Sequence, residues 1–100
     1  MSIPDAIFRI RWAHVFEEDG PGGEVYRPED AELPRSRRPR MRISFSRDGQ
    51  AGLLVAGPDD RLREVEARWR EENGEITVSG GGGPELRIHV QSEGCLLVRR

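Results

Sequence analysis

The sequence is poor in cysteine and in aromatic residues, and it contains no long hydrophobic run. Cys95 is the only cysteine, so the chain cannot form a disulfide within itself. Its apolar neighbours predict that Cys95 is a small buried residue. The start, Met1-Ser-Ile-Pro-Asp, lacks the basic and apolar regions of a secretory signal. These features argue against a disulfide-stapled secreted module and predict a reducing, cytoplasmic location.

Length and hydropathy argue against membrane and multidomain proteins. The longest uncharged apolar run, residues 51–58, is far shorter than the ~20 residues of a membrane span, so no membrane partner is expected. At 11.3 kDa the chain is long enough for one domain, residues 1–100. Hydrophobic residues make up 35% and charged residues 34% of the chain, which predicts a small hydrophobic core.

The chain also lacks lysine, because all 16 basic residues are arginine. Two explanations stay open. A GC-rich, bacterial-type coding sequence would favour arginine codons, or selection could favour guanidinium groups, which pair with anions through two hydrogen bonds. The formal net charge is −2, which removes the positive field expected of a general nucleic-acid binder. Nucleic acid is therefore not an expected partner.

Alternation of apolar and polar residues is the main pattern that is present. It runs from Ile7 to Glu18, where the even positions are mostly apolar, and predicts a first strand there. Further alternating or apolar runs, separated by turn residues, predict strands over 24–27, 41–46, 50–56, 75–79, 86–91 and 95–99. Residues 28–40, rich in proline and charge, are expected to form a connection across one end of the sheet.

The segment from Arg61 to Glu72 fits two structures. Its helix-forming residues and the spacing of Leu62, Val65 and Trp69 favour a helix that ends at Asn73-Gly74. As a strand, it would turn at Asn73-Gly74 and supply the partner that the neighbouring hairpins need. We favour the strand and leave the helix open.

With that strand, the sequence predicts an all-β fold: a single up-and-down antiparallel β-barrel of about eight strands, because closure removes both open edges. The interior of such a barrel holds either side chains or one small ligand. The volume of the predicted inward set favours a filled interior and leaves an open one as the alternative. That set is Phe8, Ile10, Trp12, Phe16, Met41, Ile43, Phe45, Leu53, Val55, Val65, Trp69, Ile76, Val78, Leu86, Ile88, Val90, Leu96 and Val98.

Six local sequences follow one another along nearly the whole chain and together form a pattern. They are Trp12 in the first strand, Tyr26-Arg27-Pro28, the hairpin sequence 45–49, a turn before the Trp69 strand, the strand 76–78 and the closing strand 96–99. In this pattern the chain resembles the small lipocalin-like, or calycin-type, barrels. The resemblance implies a lumen that opens at one end and a bias toward small apolar ligands.

His14 is the unusual residue of the first strand, because it falls on the apolar face. An inward imidazole needs a hydrogen-bond partner. It would be a satisfied core histidine, a ligand-orienting group, or an acid–base group acting with Glu18. Trp12, Tyr26 and Trp69 could line the same mouth as an aromatic wall, or simply fill the barrel.

An arginine-rich rim is the second candidate site. It comprises Arg35, Arg37, Arg38, Arg40 and Arg42. These residues could hold an anion or an acidic partner. Neutralisation by nearby acidic residues on a solvated surface is the favoured alternative. His14, His89 and Cys95 lack metal-ligand spacing, so neither a metal nor a cofactor is expected.

Three functions follow as hypotheses. The leading one is binding of a small apolar or aromatic molecule at one barrel mouth by Trp12, His14, Tyr26 and Trp69. The second is a structural or protein-interaction module with a filled barrel. The third is a cofactor-free cyclase or isomerase that uses His14 and Glu18. A homodimer is an expected assembly, and enzymatic activity is the less favoured class.

Overall fold

The computed structural model describes residues 5–35, 39–57, 59, 61–80, 85–92 and 94–99. In these residues it confirms an all-β fold, with eight antiparallel strands in one closed barrel. The elements are helix α1 (Ala6–Arg9), β1 (Trp12–His14), a 3-10 turn (Phe16–Glu18), β2 (Glu24–Pro28), β3 (Arg42–Phe45), β4 (Gln50–Ala56), β5 (Leu62–Glu72), β6 (Glu75–Gly80), β7 (Leu86–Ser92) and β8 (Cys95–Arg99). Within the described residues, no helix combines the length and the apolar character needed to cross a membrane.

The barrel closes through the β1–β2 hairpin. Strands β3 to β7 each pair with the next strand in sequence, up and down around the barrel. The hairpin fills the remaining gap, with β1 beside β3 and β2 beside β8. Because β2 and β3 are both antiparallel to β1, they point the same way. The connection between them includes residues 36–38, which lie outside the described part of the chain, so its crossing of one barrel end stays a prediction.

The segment from Arg61 to Glu72, for which the sequence left helix and strand open, contains the strand that we favoured. The first part of β5, residues 62–68, pairs with β4, for example Leu53 with Val65, and its last part, residues 67–72, pairs with β6, for example Trp69 with Val78. Asn73 and Gly74 form its turn with φ angles of 55° and 81°, the positive values that a tight two-residue hairpin requires. Pairing on both sides outweighs the helix propensity of the segment.

The first predicted strand is wrong in its extent. Only Trp12–His14 is β-structure, and the residues before it form α1, which covers one barrel end. Ile7 is buried there, and its carbonyl accepts a 3.4 Å hydrogen bond from Trp12 Nε1. Phe8 packs on Trp69, with ring centroids 5.5 Å apart. The apolar residues near Ile7 thus belong to one helical turn, which places Ile7 and Phe8 against the barrel.

Side chains fill the interior. Trp12 and Tyr26 are the largest fully buried side chains, together with isoleucine, leucine and valine side chains from strands around the barrel. The core cluster contains Ile7, Trp12, Tyr26, Ile43, Phe45, Ala51, Leu53, Ala67, Ile76, Val78, Leu86, Ile88, Leu96 and Val98. Phe16 and Met41, predicted to face inward, lie outside this cluster. Cys95 is buried, as predicted.

Candidate functional site

The barrel end opposite α1 carries His14 on its inner side. His14 pairs directly with Tyr26 of β2, so both side chains lie on the same face of the sheet. Their rings stack, with centroids 4.9 Å apart and an angle of 16° between the planes. Phe16 meets the imidazole edge-on at 6.1 Å. The His14 side chain is 15% exposed, so it is held by aromatic neighbours and still reachable from solvent.

Two carboxylates approach the same imidazole nitrogen. Oδ2 of Asp19 lies 2.9 Å from His14 Nε2, and Oε2 of Glu24 lies 3.8 Å from it. Glu24 begins β2, two residues before Tyr26, and therefore shares its inner face. Asp19 reaches back from the β1–β2 turn. The imidazole nitrogen and the two carboxylate oxygens all lie within 4.8 Å of one another.

The turn that delivers Asp19 is fixed by backbone contacts. The Val15 amide donates to the Val25 carbonyl at 2.8 Å, and Gly20 and Gly23 exchange hydrogen bonds at 3.1 and 3.2 Å. The Val25 amide donates to Asp19 Oδ1 at 2.9 Å. These bonds orient the Asp19 carboxylate so that Oδ1 and Oδ2 lie 3.1 and 2.9 Å from His14 Nε2.

A buried arginine supports the same end. Arg40 donates to both oxygens of the Glu17 carboxylate at 2.9 and 2.8 Å, and to the carbonyls of His14 at 2.9 Å and Pro34 at 2.6 Å. Its guanidinium also lies over the Phe16 ring, 4.9 Å from the centroid. Hydrogen bonding from Arg40 lowers the pKa of Glu17 to about 2. The arginine thereby ties the end of β1 to the 3-10 turn and to the long connection.

The structure brings together two of the four predicted ligand-binding residues, His14 and Tyr26. Trp12 is buried beneath α1, 1% exposed. Trp69 lies at the α1 end, where its Nε1 donates to the Ser46 carbonyl at 2.7 Å and its ring meets Phe45 edge-on. The predicted aromatic wall is therefore divided between two ends of the barrel.

The predicted acid–base partner of His14, Glu18, belongs to a different contact. Arg27 donates two hydrogen bonds to the Glu18 carboxylate, with Nε at 3.0 Å and Nη2 at 2.8 Å from Oε1. This contact lowers the pKa of Glu18. Residues 16–18 form a 3-10 turn instead of continuing β1, so the strand register that would align Glu18 with His14 is absent. The carboxylate on His14 is that of Asp19.

The arginine rim is largely neutralised where the structure describes it. Arg40 is buried on Glu17, and Arg42 Nε lies 3.1 Å from a Glu29 oxygen. Arg35 is exposed. Arg37 and Arg38 lie outside the described residues. Arg40 and Arg42 thus each pair with an acidic residue of the same chain, and Arg40 does so in a buried position instead of on a solvated surface.

Sequence reasoning missed Asp19 and Glu24 as site residues. A signal was available: pairing of His14 with Tyr26 places Glu24 on the face that carries His14. The position of Asp19 depends on the fold of the glycine-rich turn, which no periodic pattern encodes. His89 lies on the exposed face of β7, opposite Leu97.

Comparison of the chain with protein-family models, curated proteins and solved structures finds no match in any of the three. The resemblance to lipocalin-like barrels is thus supported at the level of a closed eight-stranded antiparallel barrel. Inferences about function consequently start from the residues of the chain itself.

Proposed function

We propose that the protein is a small binding module whose site is the barrel end formed by His14, Asp19 and Glu24 above Tyr26. The observation that carries the proposal is the convergence of two carboxylates on a partly exposed imidazole. The filled interior supports a site at this end, because core side chains occupy the space that a ligand in the lumen would need.

The chemistry of the site favours a small ligand with a positive charge or hydrogen-bond donors. Carboxylates accept hydrogen bonds and attract cations, while the rings of His14 and Phe16 offer an apolar surface beside them. A purely apolar molecule would meet fewer complementary groups here. We therefore modify the leading hypothesis from an apolar ligand to a cationic or donor-rich one, which can include an aromatic ring.

Native mass spectrometry tests the proposal. The untagged, freshly purified protein should show excess mass that disappears on denaturation and that is absent from the E24Q variant. E66Q removes one exposed carboxylate from the outer face of β5 and should retain the excess mass. A mass equal to that of the sequence in all three proteins, with no small molecule restoring an adduct, would contradict the proposal.

A second candidate function is a structural or protein-interaction module, which the filled interior favours. In that case the native spectrum would show only the chain or its oligomers, and the E24Q substitution would change nothing. The same spectrum gives the subunit number and so tests the expected homodimer. The enzymatic alternative would now use His14 with Asp19 in place of Glu18.

A further inference from the structure

We propose that His14, Asp19 and Glu24 form a binding site for one divalent transition-metal ion, with His14 Nε2 and one oxygen of each carboxylate as ligands. This inference rests on the proposed function, because it assigns a ligand class to the same site. One imidazole nitrogen and two carboxylate oxygens suit zinc and the neighbouring divalent metals. Calcium, which takes six to eight oxygen ligands, fits this donor set poorly.

The two distances from the imidazole nitrogen to the carboxylate oxygens lie close to those between donor atoms around a small ion. Metal–ligand bonds of about 2.0–2.2 Å in a tetrahedral site place neighbouring donors roughly 3.4 Å apart. The distance from Nε2 to the Asp19 oxygen is 2.9 Å and that to the Glu24 oxygen is 3.8 Å. These values lie on either side of the tetrahedral spacing, and all three donor atoms lie within 4.8 Å of one another, so rotations of the two carboxylates would close the site.

The ligands are positioned before any ion arrives. Stacking on Tyr26 fixes the plane of the His14 ring, and the Val25 amide holds the Asp19 carboxylate through Oδ1, with Oδ1 and Oδ2 at 3.1 and 2.9 Å from His14 Nε2. Holding one ligand through hydrogen bonds to its remaining atoms is the usual way in which proteins orient metal ligands.

Partial exposure leaves the site open to solvent. The side chains of His14, Asp19 and Glu24 are 15, 30 and 27% exposed. An ion can enter, and positions not taken by protein atoms can be filled by water or by a further ligand. The site is therefore of the open type, with three protein ligands, and it can present a bound ion to a second molecule.

Binding requires one proton transfer. The ion takes the lone pair of His14 Nε2, so the proton that Nε2 shares with Asp19 must leave this nitrogen. That proton moves to Nδ1 if the ring is neutral, or to solvent if the ring is charged. The two carboxylates bind in their ionised form, and no oxidation or reduction is involved.

Calorimetric titration of the untagged protein with Zn²⁺ is the first test. Wild type should bind one ion per chain. H14Q and E24Q should each weaken binding by about tenfold or more, since even the loss of a supporting residue has effects of that size. H89Q is the matched control, because it removes the exposed histidine of β7, and it should bind as wild type does. Equal affinity in H14Q and wild type, or loss of binding in H89Q alone, would overturn the proposal.

A second measurement on the wild-type chain avoids any dependence on variant folding. Long-range ¹H–¹⁵N spectra resolve the imidazole nitrogens of both histidines, and Zn²⁺ should shift His14 Nε2 and leave the His89 ring unchanged. A shift of His89 alone, or of neither ring, would contradict the metal site. If the native spectrum shows an organic adduct that depends on Glu24 while Zn²⁺ leaves His14 unshifted, the binding function stands and the metal inference falls. If neither an adduct nor a shift is found, both fail.

Discussion

The Arg40 guanidinium and the Glu17 carboxylate form a forked ion pair, with Nη1–Oε1 and Nη2–Oε2 distances of 2.9 and 2.8 Å. The Arg40 side chain is 7% exposed, whereas that of Glu17 is 32% exposed. Arg40 therefore lies buried at the edge of the core, with the more exposed Glu17 on its solvent side. Its other hydrogen bonds go to the carbonyls of His14 and Pro34. The geometry uses the planar fork that distinguishes arginine from lysine.

Arg40→Lys should destabilise the fold even though it conserves the charge. An ammonium group cannot serve Glu17 and two carbonyls in the planar arrangement that the guanidinium adopts. The loss of the carbonyl contacts should lower the free energy of unfolding by about 2 kcal/mol. Urea unfolding of wild type and Arg40→Lys measures this difference in the free energy of unfolding. Arg35→Lys, at an exposed position, should stay within about 0.5 kcal/mol of wild type; equal effects of the two variants would refute the role of the fork.

Glu17 should make stability depend on acid pH. Its pKa is about 2 in the folded protein, compared with an ordinary value of 4.5. Between those values the unfolded chain binds more protons, so stability decreases as pH falls. The contribution of Glu17 is complete above pH 4.5 and is lost toward pH 2.

Urea midpoints for wild type and E17Q, recorded over this pH range with EDTA present, test the effect. The gap between the two proteins should shrink as the pH falls. E66Q, which removes an exposed carboxylate of β5, serves as the control for a change in net charge. A constant gap between wild type and E17Q would contradict the assignment.

Strand pairing was the predictable part of the fold. Clean alternation between Met41 and Ser46, followed by an Asp-Gly turn, correctly located β3 and its hairpin with β4. The strand at 61–72 was predictable only by considering neighbouring strands, because its own residues favour a helix. Alternation near Ile7 failed to predict the structure, because residues with this alternating pattern form a helical turn there. The turn becomes favourable because it closes an open barrel end.

The candidate site was predictable only in its central residue. Alternation predicts an inward His14, and the structure places His14 on the inner face beside Tyr26. Asp19 and Arg40 could not be placed, because their positions depend on a turn and a long connection without periodicity. Arg40 illustrates the difficulty, since a charged residue in a polar segment predicts an exposed rim, yet hydrogen bonds to Glu17 and two carbonyls offset its burial.

Gly23→Ala should damage the turn that carries the site. Gly23 has φ of 140°, and an added Cβ would lie 2.7 Å from the Val98 carbonyl oxygen. Relief of this clash must move backbone in β2 or β8, so the free energy of unfolding should fall by about 2 kcal/mol or more. Gly20→Ala, where an added Cβ meets no atom within 4 Å, is the control in the same turn. If urea unfolding gave equal midpoints for the two variants, the close approach at Gly23 would be refuted.

One substitution should increase stability. Arg87 of β7 and Arg99 of β8 are direct cross-strand partners, and both are exposed. Like charges in this position repel, and opposite charges attract. Arg87→Glu should therefore raise the free energy of unfolding by about 0.5 kcal/mol, and high salt should reduce the gain by screening. Arg68→Glu makes the same charge change between Gln50 and Ser79, which are neutral. A gain of equal size in both variants would contradict the cross-strand effect, because only Arg87→Glu replaces repulsion across the strand pair by attraction.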